Sequence, residues 1–161
     1  MFENRYVIIE ILDDDVENLV PLELEYMYYH ANLNNYFEFS DNMSALWMNY
    51  MKEEVLKDKN QKIYAAKIKK QLIGYIHGKI TIRPPIYKIT SIGIIGTIYV
   101  NEKYRRMKIA SKLVNKLMEW FILNKVTHIE HPIASNNLPS LNFWKKLGFE
   151  EFMVWVKTEI S

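Results

Sequence analysis

The chain predicts a mixed α/β (α+β) class, one domain folded around a central sheet. Three observations predict it. Runs rich in β-branched residues come first, separated by helical stretches, and a strand, helix, strand, helix succession follows. The 161 residues are one domain's worth, enough for a real core. No linker, repeat or low-complexity tract divides residues 1–161.

Residues 6–12 read as the first strand. Asp13, Asp14 and Asp15 supply cap candidates for a helix reaching about Tyr29. Residues 30–42 are polar and aromatic, a loop or a broken helix. Residues 44–56 read as a second helix, with Leu46, Tyr50 and Met51 near one face. Lys59, Asn60 and Gln61 make a turn, and residues 63–68 and 72–82 read as paired strands around Lys69, Lys70 and Gln71. Pro84 and Pro85 break the pattern before another strand over residues 91–100. Ile109, Leu113, Leu117 and Trp120 form one stripe of a helix that should face the sheet. A strand over 127–134, a short helix ending at Gly148 and a last strand over 151–158 complete the order.

A formal net charge of +2 is too small for a dedicated nucleic-acid binder. The absence of Cys removes disulfides, thiolate metal sites and a Cys nucleophile, and fits a cytoplasmic protein better than a secreted one. No apolar run reaches membrane-spanning length, and Met1, Phe2, Glu3, Asn4 and Arg5 lack a secretory pattern. Neither nucleic acid nor membrane is an expected partner. His128 and His131, three apart on a predicted strand, point to opposite faces, so no metal site is expected.

The chemistry concentrates between Gly96 and Gly148. Ile98, Tyr99 and Val100 end a strand that runs through Arg105, Arg106, Met107 and Lys108 into a helix opening with Ile109, Ala110 and Ser111. The first amides of a helix lack intrahelical partners, and its dipole adds positive potential there. With three cations on the same spot, a phosphate-bearing ligand is the first functional expectation; a merely solvated basic turn is the plain alternative. Further on, Asn136 and Asn137 precede a short helix containing Ser140 and closing Phe143-Trp144-Lys145-Lys146-Leu147-Gly148-Phe149. Asn137 suits an N-cap, with Pro139 tolerated in the first turn, and Gly148 suits a left-handed cap.

These two segments resemble the GNAT superfamily of acetyl-coenzyme A-dependent N-acetyltransferases. Arg105-Arg106-Met107-Lys108-Ile109-Ala110 looks like the family's pyrophosphate motif, Arg/Gln-x-x-Gly-x-Gly/Ala. Residues 136–149 look like its second motif, and together the two cover about a third of the chain. The resemblance implies a single N-acetyltransferase-like domain. Its sheet would be mostly antiparallel, with about seven strands flanked by about four helices and splayed at the cofactor cleft. Acetyl-CoA would be the cosubstrate. Its pyrophosphate would sit at the amides of Arg106, Met107, Lys108, Ile109, Ala110 and Ser111, near the Arg105 guanidinium. Pantetheine would pair along Ile98, Tyr99 and Val100, with Asn137, Ser140, Phe143 and Trp144 nearby. The acceptor would be a primary amine on a small molecule or peptide, and a homodimer is expected to be accessible. A thioester is already activated, so no covalent enzyme intermediate is needed. The protein holds the reactants in line, removes a proton and offers a strand amide to the developing oxyanion.

Two residues depart from the family pattern. Lys108 stands where Gly is usual and has a Cβ that limits backbone freedom; its ammonium offers a phosphate contact in exchange. Trp144 stands where many members have a Tyr that protonates the thiolate, and indole is no acid. Catalytic residues therefore stay unassigned. Ile94, Ile95, Gly96 and Thr97 occupy the strand where some relatives carry a Glu base; His77, Tyr75, Glu25 and His30 are the other candidates. A lone mid-strand His such as His77 reads more readily as structural than as a base. Tyr26, Tyr28, Tyr29, Tyr36 and Phe37 fall where the family places its acceptor, and also read as core and groove packing. Two functions follow: an N-acetyltransferase, or a catalytically weak module that binds or senses acyl-CoA.

Overall fold

A computed structural model describes residues 6–160. The five residues read above for a leader pattern, 1–5, lie outside that range. Five strands, β1 (Val7–Glu10), β2 (Gln61–Ile68), β3 (Gln71–Ile82), β4 (Ser91–Val100) and β5 (Ile129–Glu130), line up in chain order in one sheet. Neighbours are antiparallel except β4 and β5, which are parallel. The described residues also contain four α-helices: α1 (Val16–Leu33), α2 (Met43–Tyr50), α3 (Ile109–Leu123) and α4 (Leu138–Lys146).

The alternation of side chains along the strands sends one set to each face. Ile76 and Ile95 pack with Leu113, Leu117 and Phe121 of α3 and Trp144 of α4. On the other face, Ile63, Ala65 and Tyr75 pack with Val16, Leu19 and Leu22 of α1 and with Met51 and Val55. The stripe predicted for α3 is buried as expected. α3 lies close to the sheet because Gly78 and Gly93 leave room for it. A Cβ at Gly78 would come within 2.6 Å of Leu117, and one at Gly93 within 2.8 Å of Phe121.

Several expectations need correction. The described residues contain five strands, not about seven. The last predicted strand, 151–158, has strand composition but no strand pairing, and Val154, Trp155 and Val156 are 85–94% exposed. The strand expected over 127–134 shortens to Ile129–Glu130. Pro132 has no amide to continue a ladder, and the His131 ring rather than its backbone reaches β4. α1 runs past Tyr29 to Leu33 because Asn34, not an earlier residue, leaves helical geometry. In the second helix Leu46 and Tyr50 face solvent while Met43, Met51 and Val55 are buried; a wider π turn over Met51–Val55 rotates the face that the helical period anticipated.

Candidate active site

The site begins where β4 loses one neighbour. β3 stays paired to β4 as far as Val100, but β5 pairs only with Gly93 and Ile94. Gly96 is an extra residue in β4, since His77 faces Thr97 while Gly78 faces Ile95. A bulge of this kind bends and twists the strand that carries it. On either side of it, the carbonyl of Ile95 accepts from His131 Nδ1 at 2.7 Å, and the carbonyl of Val100 accepts from Arg105 Nε at 3.2 Å. Between them, the β5-facing backbone of residues 96–99 has no strand beside it among the described residues. Ile98 and Val100 turn their side chains to the α3 core, and Tyr99 turns to the α1 face.

A single turn at Glu102–Tyr104, capped by the Asn101 side chain, carries β4 into the cationic segment. Arg106 (φ 64°) and Lys108 (φ 60°) both have left-handed backbone. The geometry that the family pattern assigns to Gly is thus adopted by Lys108 itself. Between the two cations Met107 packs inward, and its carbonyl accepts from the Tyr6 hydroxyl at 3.2 Å. Arg106 and Lys108 stay exposed, with no ion-pair partner among the described residues. Arg105 is partly committed: it pairs with Glu102 at 3.2 Å and lies 5.8 Å from the Tyr99 ring. Lys112 donates to the Lys108 carbonyl at 3.1 Å as α3 begins. The amides of Ile109, Ala110 and Ser111 precede the helical ladder at this positive end. Ile109 is buried, which anchors the turn to the core.

The second motif lies beside the splay. Asn137 is buried and caps α4, its Oδ1 accepting from the Ser140 amide at 3.3 Å and from the Tyr29 hydroxyl at 3.0 Å. The capping role expected for Asn137 is therefore present, and the same atom ties α4 to α1. Asn136 adds a bond to the Leu33 carbonyl at 2.7 Å. Phe143 is half-buried with its ring 5.3 Å from that of Trp144. Trp144 is 1% exposed, between the rings of His131 (4.6 Å) and Phe149 (4.7 Å). Its Nε1 is buried and has no partner among the described residues. Gly148 (φ 88°) adopts the left-handed conformation expected of it, and the Phe149 amide closes the helix on the Trp144 carbonyl.

The base candidates separate. His77 is buried, its Nε2 bonded to Gln61 Oε1 at 2.9 Å, and burial with the Lys79 charge pulls its pKa down to about 4. That is a structural, neutral imidazole. Tyr75 is fully buried and donates to Glu23; burial and the Glu23 carboxyl raise it well above its ordinary value. His30 sits 4.2 Å from the Tyr26 ring with Nδ1 at the Tyr26 carbonyl, and burial lowers its pKa. Both carboxylate oxygens of Glu25 accept from Asn101 Nδ2, each at 2.9 Å. Of the aromatic cluster, Tyr26 is near Tyr99 (6.3 Å) and Phe37 near His30 (5.8 Å), while Tyr28 and Tyr36 are exposed.

Two groups were missed. Glu23 is a buried carboxyl on the α1 face, and desolvation pushes it up to about 7 against the lowering effect of the Tyr75 bond. Its signal was present: Val16, Leu19 and Glu23 share one helical stripe, so a carboxylate sat among apolar residues. His131 was weighed only as a metal ligand; it bridges the gap between β4 and the segment after β5, and burial lowers its pKa. Neither it nor His128, exposed and 2.9 Å from Thr127 Oγ1, belongs to a metal-binding group among the described residues. No helix of the described residues is long and apolar enough to cross a membrane.

Comparisons with known proteins agree with this geometry. No curated protein matches the chain. Aminoglycoside 6'-N-acetyltransferase AAC(6')-IG from Acinetobacter haemolyticus is 20% identical over 96% of this chain and 99% of its own, with a TM-score of 0.74. AAC(6')-Iy, solved with the bisubstrate analogue CoA-S-monomethyl-acetylneamine, is 15% identical over 97% and 99%, with a TM-score of 0.75. A transcriptional regulator from Bacillus halodurans C-125 is 20% identical over 97% and 100%, with a TM-score of 0.77. At such identities these structures share the fold. The model of the acetyltransferase (GNAT) family matches residues 24–149, spanning the splayed strand, the cationic turn and the capped helix, and the protein belongs to that family.

Proposed function

We propose that residues 1–161 form one N-acetyltransferase that moves an acetyl group from acetyl-CoA to a primary amine. One observation carries this reading: a strand side at residues 96–99, unpaired among the described residues, ends at a turn with two exposed cations and a helix N-terminus. That combination suits a ligand with amides along its length and phosphates at one end. Arg106, Lys108 and the amides of Ile109, Ala110 and Ser111 hold the pyrophosphate. Ile98, Tyr99 and Val100 align the pantetheine arm, and Asn137, Ser140, Phe143 and Trp144 border it. Bound acetyl-CoA supplies an activated thioester. The backbone near the Gly96 bulge orients the carbonyl and donates to the oxygen on which charge develops. The aromatic end of α1, with Tyr26, Tyr29 and His30 near Phe37, receives the amine. The aminoglycoside acetyltransferases of similar fold make a small polyamine-like acceptor the first class to test.

A second reading, an acyl-CoA-binding module with weak catalysis, is favoured by Trp144, a buried indole where an acid would stand. Thiol release from acetyl-CoA with a panel of primary amines separates the two. Amine-dependent release is the expected result. Tight coenzyme A binding with no release under any amine supports the second reading, and failure to bind coenzyme A refutes both.

A further inference from the structure

Glu23 is a buried acid that packing alone does not require. No cation compensates it among the described residues; the Tyr75 hydroxyl, donating to Oε2, is its partner. A Gln would fill the same space on the α1 stripe without the cost of desolvating a charge. Burial instead holds the Glu23 carboxyl at about 7, where a group both takes up and releases protons at neutral pH.

Its surroundings lead to the cleft. Tyr75 on β3 is fully buried and stands opposite Tyr99 on β4. Thr97 lies two residues before Tyr99, on the same face of β4. Its hydroxyl sits beside the phenols of both Tyr75 and Tyr26, where it favours their ionised forms. Tyr26 is only partly buried, its ring 4.2 Å from His30 and 6.3 Å from Tyr99 at the aromatic end of α1. Thr97 itself belongs to residues 96–99, whose β5-facing side has no strand beside it among the described residues. Three hydroxyls therefore connect the open side of β4 to a carboxyl inside the α1 face. β4 carries no acid of its own, and His77, opposite Thr97, is a neutral imidazole tied to Gln61.

We infer that Glu23 accepts the proton of the attacking amine through the hydroxyls of Tyr26, Thr97 and Tyr75. This rests on the amine acetylation proposed above. The neutral amine nitrogen bonds to the thioester carbonyl carbon, and its surplus proton passes to the Tyr26 oxygen. Tyr26 gives its own proton to Thr97, Thr97 to Tyr75, and Tyr75 to the Glu23 carboxylate. Each hydroxyl is restored, and the carboxylate becomes a carboxylic acid. The carbon–sulfur bond breaks with its electron pair on sulfur. Glu23 then returns the proton along the same hydroxyls to the coenzyme A thiolate or to water. Glu23 acts only through other groups, so it decides where the proton goes and not how the substrate binds. The state that accepts the proton is the ionised one, which is also the less stable one, as expected where function opposes stability.

The pH dependence of amine-dependent thiol release tests this. In the parent, kcat should rise as pH passes about 7, apart from the amine's own ionisation at about 10. The neighbouring imidazoles stay out of that window: His77 ionises at about 4, and burial lowers His30 and His131 from 6.5. Glu23→Gln keeps an acceptor for Tyr75. It should lose about a hundredfold in kcat together with the inflection near pH 7, with coenzyme A affinity and the far-UV spectrum unchanged. Thr97→Val should fall comparably, and Thr97→Ser should recover most of the rate because it restores the hydroxyl. A Glu23→Gln variant with the parent's kcat and pH profile overturns the inference and leaves the acetyltransferase reading intact. So does a fully active Thr97→Val, or a Thr97→Ser no faster than Thr97→Val. A parent that binds coenzyme A but releases no thiol with any amine overturns both.

Discussion

Lys108 is the residue whose replacement tests the cationic turn most directly. It is exposed, caps α3 and has φ 60° and ψ 17°, a conformation that costs a side chain with a Cβ about 1.5 kcal/mol. Glycine removes that strain, while its greater freedom in the unfolded chain takes back about 0.7 kcal/mol. Alanine keeps the strain and removes the charge. Lys108→Gly should therefore be about 1 kcal/mol more stable than Lys108→Ala, or about 2–4 °C in melting temperature for a chain of this size. Binding separates differently. Losing one charge-assisted phosphate contact of about 1.5 kcal/mol lowers coenzyme A affinity about tenfold in Lys108→Ala. Lys108→Gly regains part of this by closer backbone approach. Thermal melts and calorimetry on the parent and both variants read the two effects independently. If Gly melts no higher than Ala, the left-handed strain at position 108 is refuted. If all three bind coenzyme A equally, the turn does not hold its phosphates.

Arg106, which has no ion-pair partner among the described residues, should matter more than Arg105, which is tied to Val100 and Glu102. Calorimetry at low and high salt should show about a tenfold affinity loss for Arg106→Ala, with a shallower salt dependence, and a smaller loss for Arg105→Ala. Trp144→Tyr should keep or raise turnover per folded molecule, and Trp144→Phe should keep most of it while discarding an unpaired N–H. Turnover and melting temperature measured together check this; a large loss of stability with unchanged coenzyme A affinity places Trp144 in the core alone. Glu23 and His77 titrate in opposite senses. The Glu23 carboxyl moves from 4.5 to about 7, so its stabilising proton is fully present below pH 4.5 and lost as pH rises through 7. His77 moves from 6.5 to about 4, so its contribution is full above pH 6.5 and lost as pH falls through 4. Each is worth about 3 kcal/mol. Glu23→Gln should be more stable than the parent by that amount at about pH 8 and equal to it at about pH 4, read by denaturant unfolding.

The parts legible in the sequence are those specified within a turn or two of chain. β-branched runs located β2, β3 and β4, and the spacing of Ile109, Leu113, Leu117 and Trp120 identified the buried face of α3. Asn137 and Gly148 marked the ends of α4 because capping and left-handed backbone are local demands. The cationic turn and the closing motif gave the family and the expected cosubstrate. Other features depend on partners distant in the chain. Pairing of β4 with β5 ends after Ile94 because of Gly96 in one strand and Pro132 beyond the other, and neither residue alone predicts a splay. Lys108 looked like a break in the motif, yet the surrounding turn holds it in the conformation that glycine would take. Glu23 becomes a buried acid only because α1 presents that stripe to Tyr75. Residues 151–158 have every local mark of a strand and still do not form one, because a strand's hydrogen bonds belong to its neighbour. Composition sets the preference for extended chain; an available edge in the tertiary fold determines whether that preference is satisfied.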